Sequence, residues 1–336
     1  MPVVNNYFVR CLILSCALVT ATTCFAVNLN NEALSSLEEP LAVHVGDTTL
    51  SLVGLLDLPY RIDFDDSSQS SGGFLGNFQI GAETQLDNSW TIGAAYFGQY
   101  DDNRVDDYVD NYALFLGGIW GTVSIGNVNA IVDNATRRRQ NIGNGFLEFD
   151  QPLGNLSSEG IAYIGRYGPS NISLAIDENS NFDLGFTFQR PIGKRDYRLT
   201  ARYVESELFV PTLIERSEIQ SRALLGLVDL TYGSSIFDIG FGIEQLTINN
   251  QDYTRNYLST GVSHKHGSWS FSAQAHYGEI EGQDEQSYSL GLAYDLARGL
   301  SVNLGINFAD AETQLDGLSL LSADKSEGII SVRYSY

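Results

Sequence analysis

The sequence predicts an all-β chain closed into a transmembrane antiparallel β-barrel of about sixteen strands. Three observations carry that prediction. Apolar residues alternate with small or polar ones from Phe74 to the C-terminus, the connections sort into short turns and long acidic loops, and no stretch after the N-terminal segment is apolar enough for a membrane helix. Strands facing lipid need only every second residue apolar, so such a chain can span a bilayer without a hydrophobic helix.

The chain has 336 residues, and its first segment reads as an export signal. Met1 to Arg10 carries one cation and no acid, an apolar run extends from Cys11 to Val19, and Cys24-Phe25-Ala26 offers small residues at the cleavage positions. The run is about half of the roughly 20 residues a spanning helix needs, so residues 1–26 are expected to be cleaved rather than retained. Neither Cys16 nor Cys24 sits in a well-formed lipobox. Residues 27–336 read as a single domain, because no linker or composition shift divides them.

All 3 cysteines lie in the leader, so the remainder has no disulfide or thiolate chemistry available, and it is long enough to close a large barrel without either. The net charge of −22 includes Arg10 of the leader, and the only lysines are Lys194, Lys265 and Lys325. Nucleic acid is therefore excluded as a partner, since phosphate binding needs clustered cations.

Strands are read from the alternation in chain order. Segments 49–61, 74–85, 89–99, 108–118 and 120–127 come first. Segments 160–167, 170–178, 182–190 and 196–205 follow the longest connection. Then come 222–232, 235–247, 253–264, 268–278, 286–296, 299–309 and 327–336. The later ones show the pattern most clearly: Trp269, Phe271, Ala273, Ala275 and Tyr277 alternate with Ser270, Ser272, Gln274, His276 and Gly278. Leu300, Val302, Leu304, Ile306 and Phe308 likewise stand opposite Ser301, Asn303, Gly305 and Asn307. Their lengths match the ~9–11 residues of a tilted membrane strand.

Short connections fall at Asp87-Asn88, Gly168-Pro169, Ile192 to Lys194, Gly233-Ser234, Gly267 and Arg298-Gly299, residues suited to tight turns. The intervening connections, 63–73, 100–107, 128–159, 206–221, 249–252, 279–285 and 310–326, are longer and acidic. Turns on one rim and loops on the other are the habit of a membrane barrel. Trp90, Tyr96, Tyr112, Tyr197, Tyr203, Tyr232, Tyr257, Trp269, Tyr277, Tyr288, Tyr294 and Tyr334 cluster near strand ends, where amphipathic rings can sit at headgroup level.

The final segment, Gly328 to Tyr336, has apolar groups at alternate positions and ends on an aromatic residue. It resembles the C-terminal signal that outer-membrane barrels present to their assembly machinery, which makes Tyr336 the contact for that partner. Tyr294-Asp295-Leu296-Ala297-Arg298-Gly299-Leu300, Trp120 to Gly126 and Ile161 to Gly168 resemble segments of the general bacterial porin family, and the likeness covers nearly the whole chain after the leader. The family's Pro-Glu-Phe-Gly-Gly loop motif is absent, and Val27 to Thr48 departs from its usual start. The resemblance implies a sixteen-stranded trimer in the Gram-negative outer membrane, in contact with lipid and lipopolysaccharide. It implies passive diffusion of ions and small hydrophilic solutes, with no enzymatic step and no cofactor.

In that family the third loop folds into the barrel and narrows it. Here the corresponding connection runs from Val128 to Glu159, too long for an idle loop. It carries Arg137, Arg138 and Arg139, then Glu148, Asp150 and Glu159, with Gly143, Gly145 and Gly154 as flexible points. Fixed charges at a narrow, low-dielectric constriction select ions by Coulomb interaction. Arg198, Arg202 and Arg333 fall on polar strand faces as wall partners for the loop acids, and Arg61 and Arg166 are further candidates. The competing reading of Arg137–Arg139 is a solvated basic patch.

Asp101, Asp102, Asp106, Asp107, Glu279, Glu281, Asp284, Glu285, Asp310, Glu312 and Asp316 make the looped rim acidic, which favours weak cation preference, while spacing suited to a calcium loop is lacking. His264 and His276 are expected to share the lumen, without a third ligand for zinc. Rival functions are a substrate-specific channel, a soluble exported β-protein and a non-channel barrel acting as adhesin or scaffold.

Overall fold

The computed structural model describes residues 41–65, 70–102, 108–128, 131–139, 142–156, 159–211, 216–316 and 318–335. The expected leader and the terminal Tyr336 lie outside the described residues. The strands are β1 (Leu41–Val45), β2 (Thr48–Asp63), β3 (Ser71–Gly72), β4 (Leu75–Gln85), β5 (Thr91–Asp101), β6 (Tyr108–Gly118) and β7 (Gly121–Asn127). After the third loop come β8 (Glu159–Tyr167), β9 (Ser170–Asp177), β10 (Phe182–Ile192), β11 (Arg195–Pro211), β12 (Arg216–Tyr232) and β13 (Ser235–Ile248). The chain ends with β14 (Gln251–His266), β15 (Trp269–Ile280), β16 (Gln283–Ala297), β17 (Leu300–Leu315) and β18 (Leu318–Ser335). A single-turn helix, α1 (Ile131–Thr136), opens the third loop.

Sixteen strands, β2 and β4 to β18, pair antiparallel with their chain neighbours, and β18 closes on β2 with Ser331 opposite Pro59. Closure leaves no edge, so the barrel's backbone groups are satisfied internally, as a bilayer demands. The short β1 lies outside this ring, paired only along the start of β2.

The alternating faces sort as the sequence predicts. Leu290, Ile239, Phe241, Phe271 and Tyr288 point outward and are about half exposed, while Ser272, Ser289, Asn303 and Asn307 point inward and are buried. Trp90, Tyr112, Tyr232, Trp269, Tyr277 and Tyr334 are exposed on the outside. Tyr257 is an exception: it sits inside, with the Arg255 guanidinium 4.5 Å over its ring. His264 is another, exposed with Ser235 Oγ 2.8 Å from its ring, while His276 is buried inside.

Several connections expected as long loops are strand instead. β11 extends to Pro211 and β12 begins at Arg216, β17 extends to Leu315 and β18 begins at Leu318. Asn249-Asn250 and Glu281-Gly282 are two-residue turns with positive φ at both positions, the hairpin geometry that matches strand twist. The cause is an inversion of faces. On β17 the outward residues change from Val302, Leu304, Ile306 and Phe308 to exposed Asp310, Glu312 and Gln314, while the inward set changes from Asn303 and Asn307 to buried Ala311 and Leu315. Above that level the outside faces water, so polarity reverses while the period of two continues.

Candidate pore constriction

The third loop enters the lumen and crosses it, anchored at its base by apolar packing. Val128, Val132 and Leu156 form a buried cluster with Ala162, Ala175, Val204 and Ala223 of the wall. Such burial stabilises by about 1.5–3 kcal/mol per large side chain, which offsets the ordering of only a few loop residues at about 1–2 kcal/mol each, so the rest of the loop depends on polar contacts. Thr136 Oγ1 donates to Val132 O at 2.8 Å and completes the helical turn.

From this base the loop meets the wall through charge pairs. Arg202 on β11 donates through Nη1 to Asp133 of the loop and through Nη2 to Asp183 of β10, each at 2.7 Å. It also reaches Gln151 Oε1 at 3.1 Å. Arg198 lies 3.3 Å from Asp229 on β12 and donates to Ala135 O at 3.2 Å. Among the three consecutive arginines, Arg137 folds back to Asp133 at 3.6 Å, Arg138 donates to Asp238 on β13, and Arg139 donates to Gln189 on β10 at 2.9 Å. Arg138 is buried, so the basic run is not a solvated patch.

The loop then lies flat on β16 and β17 because two wall residues lack side chains. A Cβ on Gly291 would stand 1.9 Å from Ile142 O, and one on Gly305 would stand 2.1 Å from Asn144 O. Only glycine admits a backbone at that distance. Asn307 clamps the passage, accepting from Phe146 N at 3.0 Å and donating to Asn144 O at 3.1 Å. Arg333 joins Asn144 Oδ1 at 3.1 Å to Asp57 of β2 at 2.7 Å. Lys325 bridges Glu148 and Glu327, both at 2.9 Å, and Arg61 pairs with Glu327 at 2.8 Å.

The return leg is held by Arg255 of β14, which is fully buried. Its guanidinium donates to the carbonyls of Phe149 and Gln151 and pairs with Glu244 at 2.9 Å and Glu285 at 2.8 Å. Glu244 in turn accepts from Leu153 N at 2.9 Å and from Ser221 Oγ at 2.6 Å. One cation thus anchors two loop carbonyls, and the carboxylates around it are themselves hydrogen-bonded, which is the condition for a buried pair to be tolerated. Asp150, beside Arg138 at 3.8 Å, has its carboxyl pushed above the usual aspartate range by burial, against the pull of Arg138 and Arg137.

His276 stands between Ser259 Oγ, 3.1 Å from Nδ1, and Glu285 Oε1, 3.0 Å from Nε2. These three are the residue types of a hydrolytic triad, but Glu285 is already neutralised by Arg255 and all three groups are buried. With Glu285 engaged by Arg255, His276 and Ser259 hold Arg255's partner in place.

Of the eleven residues singled out from sequence, Arg61, Arg137, Arg138, Arg139, Glu148, Asp150, Arg198, Arg202 and Arg333 gather around the loop. Glu159 and Arg166 do not. Glu159 is exposed at the start of β8, with Tyr112 Oη 3.5 Å away, and Arg166 sits beside the tight turn after β8, its Nε 3.3 Å from Asn171. The expected division, acids on the loop against arginines on the wall, is also corrected. Loop Arg138 meets wall Asp238, and wall Arg202 meets both loop Asp133 and wall Asp183, so each surface carries both signs. Glu285, expected among the acids of the rim, is instead buried inside on Arg255. Arg255, Glu244, Asp183, Asp229, Asp238 and Lys325 were not singled out, yet each occupies an inward position of the alternation, which is the signal that finds them.

The free lumen lies along the opposite wall. Inward positions of β10, β12 and β16 are largely buried by the loop, whereas Gln79, Phe97, Asn111, Phe115, Thr122 and Ser124 of β4 to β7 remain partly open, and Val109 is 40% exposed.

A family profile described as Gram-negative porin matches residues 41–314. No curated protein matches the chain. Among solved structures, the chain is similar to OmpT, an outer membrane protein of Vibrio cholerae in its trimer form, with a TM-score of 0.72 at 13% identity, covering 86% of this chain and 99% of that one. It is similar to the anion-selective porin from Comamonas acidovorans, with a TM-score of 0.62 at 13% identity, over 86% and 100% of the two chains. A triple mutant of the Rhodopseudomonas blastica porin gives a TM-score of 0.54 at 16% identity, over 85% and 100%. At these identities the likeness concerns the fold.

Proposed function

The chain belongs to the Gram-negative porin family, and from that premise we propose that it is a passive outer-membrane diffusion channel whose third loop is the constriction. Ions and small hydrophilic solutes pass down their gradients along the β4–β7 wall, with no covalent step. The observation that carries this reading is the loop's anchorage across half of the lumen, which leaves one wall facing water.

Cation preference is weak in this reading. Arg138, Arg202, Arg198, Arg255, Arg333 and Lys325 each face a carboxylate, so the interior field is largely compensated. Glu279, Glu281, Asp284, Asp310 and Glu312 of the outer rim are exposed to solvent, and they concentrate cations at the mouth. The leader directs export and is cleaved, and Tyr336 addresses the assembly machinery.

Assembly as a homotrimer is supported by the outer face of β7 to β9. These strands have 7, 9 and 8 residues, at or below the short end of the ~9–11 that cross a bilayer, so lipid is a poor neighbour there. A groove of about 360 Å³ lined by Val123, Ile161, Tyr163, Leu174 and Ile176 lies on that face, ready for a second copy.

Planar-bilayer recording of the purified protein tests the reading. Unit openings that occur in threes, with a reversal potential in a KCl gradient displaced towards the cation potential, are the expected result. Silence in the bilayer would remove the channel, and anion preference would remove the account of the rim.

A further inference from the structure

Above the lipid level the strands of one half of the barrel become an ordinary apolar core. Inward Ile219, Leu246, Ile248, Ile280, Leu315 and Leu321 are buried against one another, contributed by β12, β13, β15, β17 and β18. Their outward neighbours are polar: Gln245 and Thr247 on β13, Glu279 on β15, Asp310 and Glu312 on β17. Tyr253 Oη of β14 donates to Asp316 Oδ1 at 2.8 Å, tying that strand to the tip of the β17–β18 hairpin.

The same core takes in two residues of the third loop. Phe149 and Leu153 pack against it, and Arg255 binds the backbone on either side of Asp150 from beneath. The return leg of the loop is therefore packed, partly buried, against a structure made by the outer hairpins, beyond its contacts with the membrane-level wall. Neither the transport reading nor the barrel architecture requires this arrangement.

We propose that the outer ends of β12 to β18 and residues 149–153 form one folded cap, and that this cap sets the position of the constriction from outside. Ile219, Leu246, Ile248 and Ile280 are then positioning residues for the loop: they touch no permeant and act through Phe149 and Leu153. Disturbing the cap releases residues 149–153 and widens the pore, although the ion pairs lower down stay intact. Exclusion of solute from the mouth above β12 to β18 is a second consequence, since apolar packing occupies that space.

This inference rests on the third loop being the constriction, and the test separates the two. Unit conductance and the size limit for uncharged polymers are measured for wild type, Ile280→Asn, Ile280→Val, Phe149→Ala and Arg138→Ala. Ile280→Asn and Phe149→Ala should raise conductance, admit larger polymers and add current noise, while Ile280→Val stays at the wild-type value. Should Ile280→Asn fail to assemble, as judged by heat-modifiable gel mobility, Phe149→Ala carries the test, since it leaves every strand unchanged. A conductance altered by Arg138→Ala but by neither cap variant overturns the cap and leaves the constriction standing. No change in any variant overturns both.

Discussion

The wall formed by β10 to β18 and the wall formed by β4 to β7 are built on the same alternation, yet they do different things. The first carries buried arginines, each set among carboxylates, and inward glycines on which a loop can lie. The second has no lysine or arginine in its strands and presents amides, hydroxyls and two phenylalanines to the lumen. The difference teaches how a pore stays open beside a folded loop. Chain is retained where the wall offers space together with charge partners; the other wall has inward glycines too, at Gly81, Gly93 and Gly117, but no cation in those strands.

The comparison breaks most severely at Arg255. Arg255→Ala leaves Glu244 and Glu285 buried without their cation, and removal of one partner from a buried pair costs about 3–5 kcal/mol. A marked fall in the temperature of heat-induced gel shift is expected, together with a noisier channel as residues 149–151 come free. Unchanged thermal behaviour would show that the loaded wall is held by something other than its ion pairs.

Asp150 gives a smaller effect with a defined sign. Its folded-state carboxyl is raised by burial, so the folded protein binds the proton more tightly than the unfolded chain does. Stability from this group is therefore unimpaired below the usual aspartate value of about 3.9 and declines as pH rises from there through the raised folded value. Asp150→Asn should remove that decline, flattening the dependence of thermal stability on pH across this window. A steeper dependence in the variant would reverse the assignment.

On the opposite wall, Asn111→Ala should change stability by no more than about 0.5 kcal/mol, as for a side chain that faces water. Its effect belongs in permeation instead, as a small change in unit conductance at unaltered thermal transition. A destabilisation comparable with that of Arg255→Ala would erase the distinction between the walls.

Much of this was legible in the residues themselves. Trp269 to Gly278 and Leu300 to Phe308 announce their faces plainly, and the glycine-bearing turns mark one rim. Where the reading failed, the failure had a physical cause. Segment 310–326 looked like a loop because a greasy outside and a polar inside mark a strand only at lipid depth. In Asp310 to Leu315 the alternation persists with its sense reversed. The candidate site was partly visible in the same way: Arg198, Arg202 and Arg333 were found by parity, while Arg255, Glu244 and Glu285 lay in or beside segments read as rim.

The sequence by itself determined a barrel of about sixteen strands and the sidedness of its turns, because each depends on local period and local turn chemistry, while the loop that enters it was implied by the resemblance to the porin family. Only the tertiary structure decided which charges meet. Arg138 finds Asp238, and Arg255 finds Glu285 and the Phe149 carbonyl, across 100, 30 and 106 positions of chain. Such pairings depend on closure of the sheet and on the path of the third loop across it, and no local pattern records either.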